Sequence, residues 1–265
     1  MSTALAVTST SPTVRATWTR ARAPLAVLAA LVASTVLLAL LRSPGGGPPL
    51  DPRSYAPEGS RALAALLEDG GVAVRVVTDL PALQAEVGPA STVLVPAPNG
   101  LTDDELRALG GLAADVVVVG AAPPHLEPLG VAAEVLPAVL DTRPPVCDLP
   151  AAQRAGAAEV GDLTYTARDG GTACYPTPTG AGLLALPAER LALLGTGTPL
   201  TNDALDEEGS AALAVGLLGG GDEVLWLLPS PDRPGAGERR EIGDLLPPAV
   251  PFAAVQLAVA VALLA

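Results

Sequence analysis

Asp115-Val116-Val117-Val118-Val119-Gly120 sets four valines on an acid and closes them with a glycine. A run this short and this continuously apolar reads as a strand buried on both faces, because a half-exposed strand alternates apolar with polar residues. Just upstream, Thr102-Asp103-Asp104-Glu105 is a capping box that opens a helix running to about Gly110. Before it, 92–95 reads as another strand, ending in Pro96-Ala97-Pro98-Asn99-Gly100. Further back lie a short helix at 81–87, an apolar strand at 72–77, and a helix at 57–69. That helix sets Leu63, Leu66 and Leu67 on one face and stops at Gly70-Gly71. Continuous Val/Leu strands separated by helices indicate a parallel sheet covered on both faces. The expected fold class is α/β, a mostly parallel sheet with flanking helices. The second half is less regular: strands are expected at 163–167, 182–186, 191–194 and 223–228, with a helix from Asp203 to Leu218.

The chain has 265 residues, 49% of them hydrophobic, with 15 basic and 28 acidic side chains. A net charge of −13 argues against a nucleic-acid partner, which requires a basic face. All 15 bases are arginine. Without lysine, a Walker-type phosphate loop and Schiff-base chemistry are excluded. Scarce Ile242, Phe252, Asn99 and Asn202 fit a GC-rich genome. Two cysteines and one histidine leave little for zinc, and no metal or cofactor is expected.

Every acid lies between Asp51 and Asp244. The uncharged run 23–41 spans roughly 28 Å as a helix, close to the hydrocarbon core of a bilayer. Arg15, Arg20 and Arg22 precede it, with Trp18 near the interface, which places the N-terminus in the cytoplasm. A cleaved signal peptide is the competing reading; its apolar region is shorter and is followed by a small-x-small site, which this boundary lacks. A second apolar run, 251–265, is too short for a full crossing and reads as a truncated second transmembrane helix, or else as a buried terminal helix. The expected organisation is a cytoplasmic tail at 1–22, a transmembrane helix at 23–41, a linker at 42–52, an extracytoplasmic α/β domain at 53–248 and the start of a second membrane helix at 249–265. Outside the cytoplasm, Cys147 and Cys174 are expected to pair, worth roughly 3–4 kcal/mol in chain entropy, the alternative being two free thiols.

Ligands of an open parallel sheet bind at the carboxyl ends of its strands. No Ser or Cys follows the 115–119 strand, and nothing matches a G-x-S-x-G elbow. His125, in Pro123-Pro124-His125-Leu126, reads as an exposed loop histidine. Gly195-Thr196-Gly197 lacks the third glycine of a dinucleotide fingerprint, which falls on Leu200, and reads as a tight strand-to-helix turn. Asn202 or Asp203 is expected to cap the following helix, with Asp206, Glu207 and Glu208 favouring its positive end. The segments carrying Asn99, Gly120 and Thr196 should gather on one edge. There Asn99, Thr196, Gly197, Thr198 and Asn202 form a candidate corner for a carboxylate or carbonyl ligand, with satisfied capping as the alternative.

Two stretches carry a family resemblance. Asp51-Pro52-Arg53-Ser54-Tyr55 followed by Glu58-Gly59-Ser60-Arg61-Ala62-Leu63 resembles the opening of an actinobacterial membrane family, domain-of-unknown-function family 4350. Leu194-Gly195-Thr196-Gly197, Leu200-Thr201-Asn202-Asp203 and Glu208-Gly209-Ser210-Ala211-Ala212-Leu213-Ala214 resemble its most recognisable motif, with Ser210 where Asn is usual. The resemblance implies two membrane helices around an external domain similar to flavodoxin or class I glutamine-amidotransferase folds, without the catalytic cysteine. It also implies a MoxR-type AAA ATPase and companion membrane proteins as partners. The function read from all this is a membrane-anchored, non-catalytic module that binds a protein or small ligand. A carboxylate-dependent hydrolase and a purely structural subunit of a membrane complex are the alternatives.

Overall fold

The computed structural model describes Ser34, which is helical, and residues 48–168, 170–188, 190–207 and 209–230. The apolar runs 23–41 (Ser34 apart) and 251–265, the tail 1–22 and Glu208 lie outside the described residues. Among the described residues no helix is long and apolar enough to cross a membrane. The unit Gly45–Arg240 contains the sheet, its flanking helices and the candidate site.

The fold is mixed α/β. Nine strands form one sheet: β1 (Ala73–Val77), β2 (Ser91–Val95), β3 (Asp115–Val119), β4 (Ala133–Arg143), β5 (Ala158–Ala167), β6 (Thr172–Thr177), β7 (Gly180–Leu186), β8 (Leu191–Leu194) and β9 (Glu223–Leu227). Their order is β1-β9-β2-β3-β8-β7-β5-β4, with β6 paired to β7. The first five in that order are all parallel. From β8 onward the pairing is antiparallel. The sheet is therefore half parallel core and half antiparallel wing, rather than the mostly parallel sheet expected.

Among the described residues six helices flank it: α1 (Arg61–Asp69), α2 (Leu80–Glu86), α3 (Asp103–Gly110), α4 (Pro123–Leu126), α5 (Pro150–Ala155) and α6 (Ser210–Leu218). Side chains alternate across a strand, so each parallel strand feeds two cores. Val93, Val95, Val116, Val118, Leu225 and Leu227 pack on one face with Leu80 and Leu83 of α2, Leu106 and Leu109 of α3, and Leu126 of α4. Leu94, Val117, Val119, Val224 and Trp226 pack on the other with Leu63 and Leu67 of α1, Ala152 of α5, and Leu213 and Leu218 of α6. Here lies the reason for the valine runs: both faces of these strands are dry.

Counted from β9, the parallel strands stand in the order 2-1-3-4-5, although the chain itself begins one strand later, at β1. The chain thus makes last an interior strand, the one that joins β1 to the rest of the sheet. The capping box of α3 is present in full: Thr102 Oγ1 accepts from Glu105 N–H, and the Glu105 carboxylate accepts from Thr102 N–H at 2.9 Å. Two expected helices start late. α1 begins at Arg61, not at Pro57, because Pro57 to Ser60 belong to a turn. α6 begins at Ser210, not at Asp203. Gly209 precedes it with φ +78, and a Cβ there would overlap Ala157 O, so the chain turns sharply at Gly209 before the helix can start. The strands β4 and β6, and the helices α4 and α5, are not marked by the sequence pattern.

Candidate functional site

Because β2, β3 and β8 are adjacent and parallel, the segments after them share the carboxyl edge of the sheet. Asn99 lies exposed there in a 3-10 turn, Pro98–Gly100, after β2. Gly120 follows β3 with φ +63. Thr196, Gly197 and Thr198 follow β8. Gly195 is a glycine because β5 crosses against it; a Cβ would overlap Leu163 O.

The hydroxyls after β8 form a chain. Thr196 Oγ1 donates to Asp162 Oδ2 at 2.7 Å, lies 2.9 Å from Thr198 Oγ1, and accepts from Thr198 N–H. Thr196 itself is buried, and Asp162 sits at φ +55, outside the usual range for a residue with a side chain.

Asn202 does not cap the helix that follows it. Its amide nitrogen donates to Ser54 O at 2.9 Å and to Ala56 O at 2.7 Å. Its amide oxygen accepts from Ala62 N–H, in the first turn of α1, at 2.9 Å. Asn202 N–H donates to Gly59 O. Ser60, which precedes α1, makes no cap of its own; its hydroxyl donates to Leu200 O at 2.6 Å. Asn202 therefore supplies, from 140 residues away in sequence, the cap that α1 lacks locally. Inside the clasped loop, Arg53 binds both carboxylate oxygens of Asp51 at 2.9 Å and holds that carboxyl below its ordinary pKa. The two stretches that carried the resemblance are thus one structure, a loop and the hand that grips it.

Beside this clasp opens a cleft of about 570 Å³. Four carboxylates line it, Glu58, Glu159, Asp203 and Glu207, with Thr198 and Thr201. The corner expected to be rich in donors is rich in acceptors. Its chemistry suits a cation or a donor of hydrogen bonds better than an anion. Asn99 and Gly120 stand on the same edge but do not line the cleft. Of the expected ligand residues only Thr198 does. Glu159 belongs to β5, a strand whose neighbours the sequence pattern did not reveal, and no local signal marks it.

The groups best suited to catalysis are engaged elsewhere. His125 is buried rather than exposed; its Nδ1 accepts from Ala122 N–H at 3.0 Å at the start of α4, and burial lowers its pKa. Cys147 and Cys174 are joined in a disulfide with Cα atoms 5.2 Å apart, and Cys174 is fully buried on β6. Burial pushes the Tyr175 hydroxyl up to about 12, which keeps it protonated near neutral pH.

These features define a class: a three-layer α/β domain with an antiparallel wing and a clasped loop at its strand ends. The chain belongs to the family described as Domain of unknown function (DUF4350), whose model matches residues 52–218. That span begins in the clasped loop and ends with α6, so it contains both halves of the clasp. A protein of Mycobacterium tuberculosis named uncharacterized membrane protein Rv3691 is 30% identical over 263 residues, covering 96% of this chain and 68% of its own length. No solved structure matches the chain.

Proposed function

We propose that the chain is a membrane-anchored, non-catalytic module that presents its α/β domain outside the cytoplasm. There it binds a protein or a small ligand within a membrane complex. The observation that carries this reading is the engagement of the reactive side chains. The one histidine caps a helix, both cysteines are in a disulfide, and the Thr196 hydroxyl is tied to Asp162. The anchoring rests on the apolar runs 23–41 and 251–265 and is supported by the name of the mycobacterial relative. A MoxR-type ATPase system as the associated machinery rests on family resemblance alone.

The finer fold assignment belongs to the same proposal. The order 2-1-3-4-5 is that of flavodoxin-like doubly wound sheets. Here it is entered one strand late, which makes the domain a circularly shifted relative of that arrangement. A likeness to amidotransferases without their cysteine rests on the resemblance.

Topology is tested by cysteines placed at Ser9 and Ser230, labelled in intact cells under non-reducing conditions. The expected result is labelling from opposite sides; labelling of both from outside refutes the orientation. Purification of the tagged full-length protein from its own membranes should bring down membrane-protein companions, and recovery of the chain alone would refute the complex. The carboxylate-lined cleft favours a second reading, a carboxylate-dependent hydrolase. Under that reading, Asp203→Asn and Glu207→Gln abolish in-cell function at unchanged stability; under the first, they change only what binds.

A further inference from the structure

The chain has two asparagines, and the structure treats them oppositely. Asn202 is gripped at both ends of its amide. Its Nδ2 donates to Ser54 O and Ala56 O, and its Oδ1 accepts from Ala62 N–H. The next backbone nitrogen, that of Asp203, donates to Pro57 O at 3.1 Å. Asn99 stands exposed in the turn after β2. Among the described residues its side-chain amide has no hydrogen-bond partner. The residue after it is Gly100, whose N–H donates to Ala97 O at 3.2 Å. Bonds of the 3-10 type are poorly aligned, and Pro98 has no N–H with which to add another.

A free amide followed by a glycine is a reactive pair. The amide carbon Cγ and the next backbone nitrogen close a five-membered ring when they join. Glycine has no Cβ to crowd that nitrogen, and asparagine is among the thermolabile side chains. At Asn202 the same attack requires Asp203 N to leave Pro57 O and the amide to leave three partners at once. At Asn99 only the turn has to open, and exposed turns lie at the low end of the opening free energies within a fold.

We infer that Asn99 is a modification site, converted to aspartate and isoaspartate by intramolecular deamidation. Hydroxide takes the proton from Gly100 N. The nitrogen attacks Asn99 Cγ: the N–Cγ bond forms, the Cγ–Nδ2 bond breaks, and ammonia leaves with a proton from water. Water then opens the cyclic imide at one of its two carbonyls. Opening at Cγ gives aspartate. Opening at the backbone carbonyl gives isoaspartate, with the main chain running through Cβ and Cγ. The sum is amide plus water to carboxylate plus ammonium, with nothing oxidised or reduced. Isoaspartate lengthens the main chain by one methylene between Pro98 and Leu101, which are both buried, and just before Thr102, the cap of α3. The extra length therefore falls between two fixed points, and the turn cannot keep its present form.

The test ages the purified full-length chain in mildly alkaline buffer with detergent and follows, by mass, the tryptic peptides that carry Asn99 and Asn202. Enzymatic methylation of isoaspartate reads the second product. Conversion about tenfold faster at Asn99 than at Asn202 is expected, with isoaspartate among the products. In Gly100→Ala the added Cβ meets the Pro229 ring at 3.5 Å, an ordinary contact, so the fold is kept while conversion at Asn99 slows about tenfold. Circular dichroism checks that the fold is kept. No conversion at Asn99 in the folded chain overturns the inference, and conversion that appears only in urea then identifies the turn as a shield. Equal conversion at the two asparagines overturns it as well, as does an unchanged rate in a folded Gly100→Ala. Aspartate without isoaspartate overturns it too, since direct hydrolysis passes through no imide.

Discussion

The parallel half of the sheet and β4, the edge strand of its antiparallel wing, are built on opposite patterns of burial. All five residues of β2 are buried, and four of five in β3 and in β9. The long strand β4 shows no such run; Val139 is 82% exposed, and its register against β5 shifts between Ala138 and Asp141. A strand between two layers of helix is held by apolar area. A strand with water on one side is held by what its neighbours bring, here the disulfide and a row of hydroxyls. Thr164 Oγ1 donates to Leu136 O and lies 3.0 Å from Thr179 Oγ1, which in turn neighbours Thr177. The stability of the domain should accordingly respond to volume in the parallel half and to specific bonds along the outer wing.

Trp226→Ala should break the parallel half outright. The ring is fully buried on β9, between β1 and β2, and such truncations cost about 3–5 kcal/mol. Chemical denaturation should show the loss, while Val139→Ala on the wing should stay within roughly 0.5 kcal/mol of the parent. Comparable values for the two would end the contrast. Reducing the Cys147–Cys174 bond should cost about 3–4 kcal/mol by the chain-entropy estimate, but locally. Hydrogen exchange should quicken in β6 and β7 and leave β2 and β3 protected; uniform quickening would show that the wing has no independence.

Asn202→Asp sharpens the boundary between the halves. A carboxylate there faces the carbonyls of Ser54 and Ala56 and loses both donated bonds. A cost of about 1–3 kcal/mol is expected, with faster proteolysis between Arg53 and Arg61. Unchanged stability would mean that the clasp is incidental. The smallest effect concerns His125. Burial depresses its folded pKa below the ordinary 6.5, so its contribution is present above that value and is lost as pH falls toward the folded pKa. Between about pH 6.5 and 5, the denaturation midpoint of the parent should fall more steeply than that of His125→Ala. Parallel slopes would show that His125 does not titrate differently on folding.

The same contrast explains what was legible in the sequence. Strands dry on both faces announce themselves as Val and Leu runs, and Asp115–Val119 and Leu191–Leu194 could be placed to the residue. So could the α3 capping box, because both of its partners lie within four residues. β4 contains Glu134, Pro137, Asp141 and Thr142, and β6 contains Pro176; neither alternates cleanly. The clasp was half legible. The residues stood out as motifs, but Asn202 beside a turn looks like a cap for the next helix. Only tertiary structure shows that it caps an earlier one. The acidic cleft was invisible for a related reason, since Glu58, Glu159 and Asp203 meet from three segments far apart in the chain.

Making β9 last has a consequence for synthesis. Among the described residues β1 pairs only with β9, and Glu223 comes 150 residues after Ala73. At ordinary elongation rates of about 5–20 residues per second, β1 waits roughly 8–30 s for the strand that will hold it to the rest of the sheet. Throughout that interval Val74, Val76 and Val77 have no partner from β9, and for most of it α1 has no Asn202 to cap it. The amino-terminal third of the domain is thus open to attack for as long, and ribosomes stalled before codon 223 should release it to proteases rather than as a folded fragment.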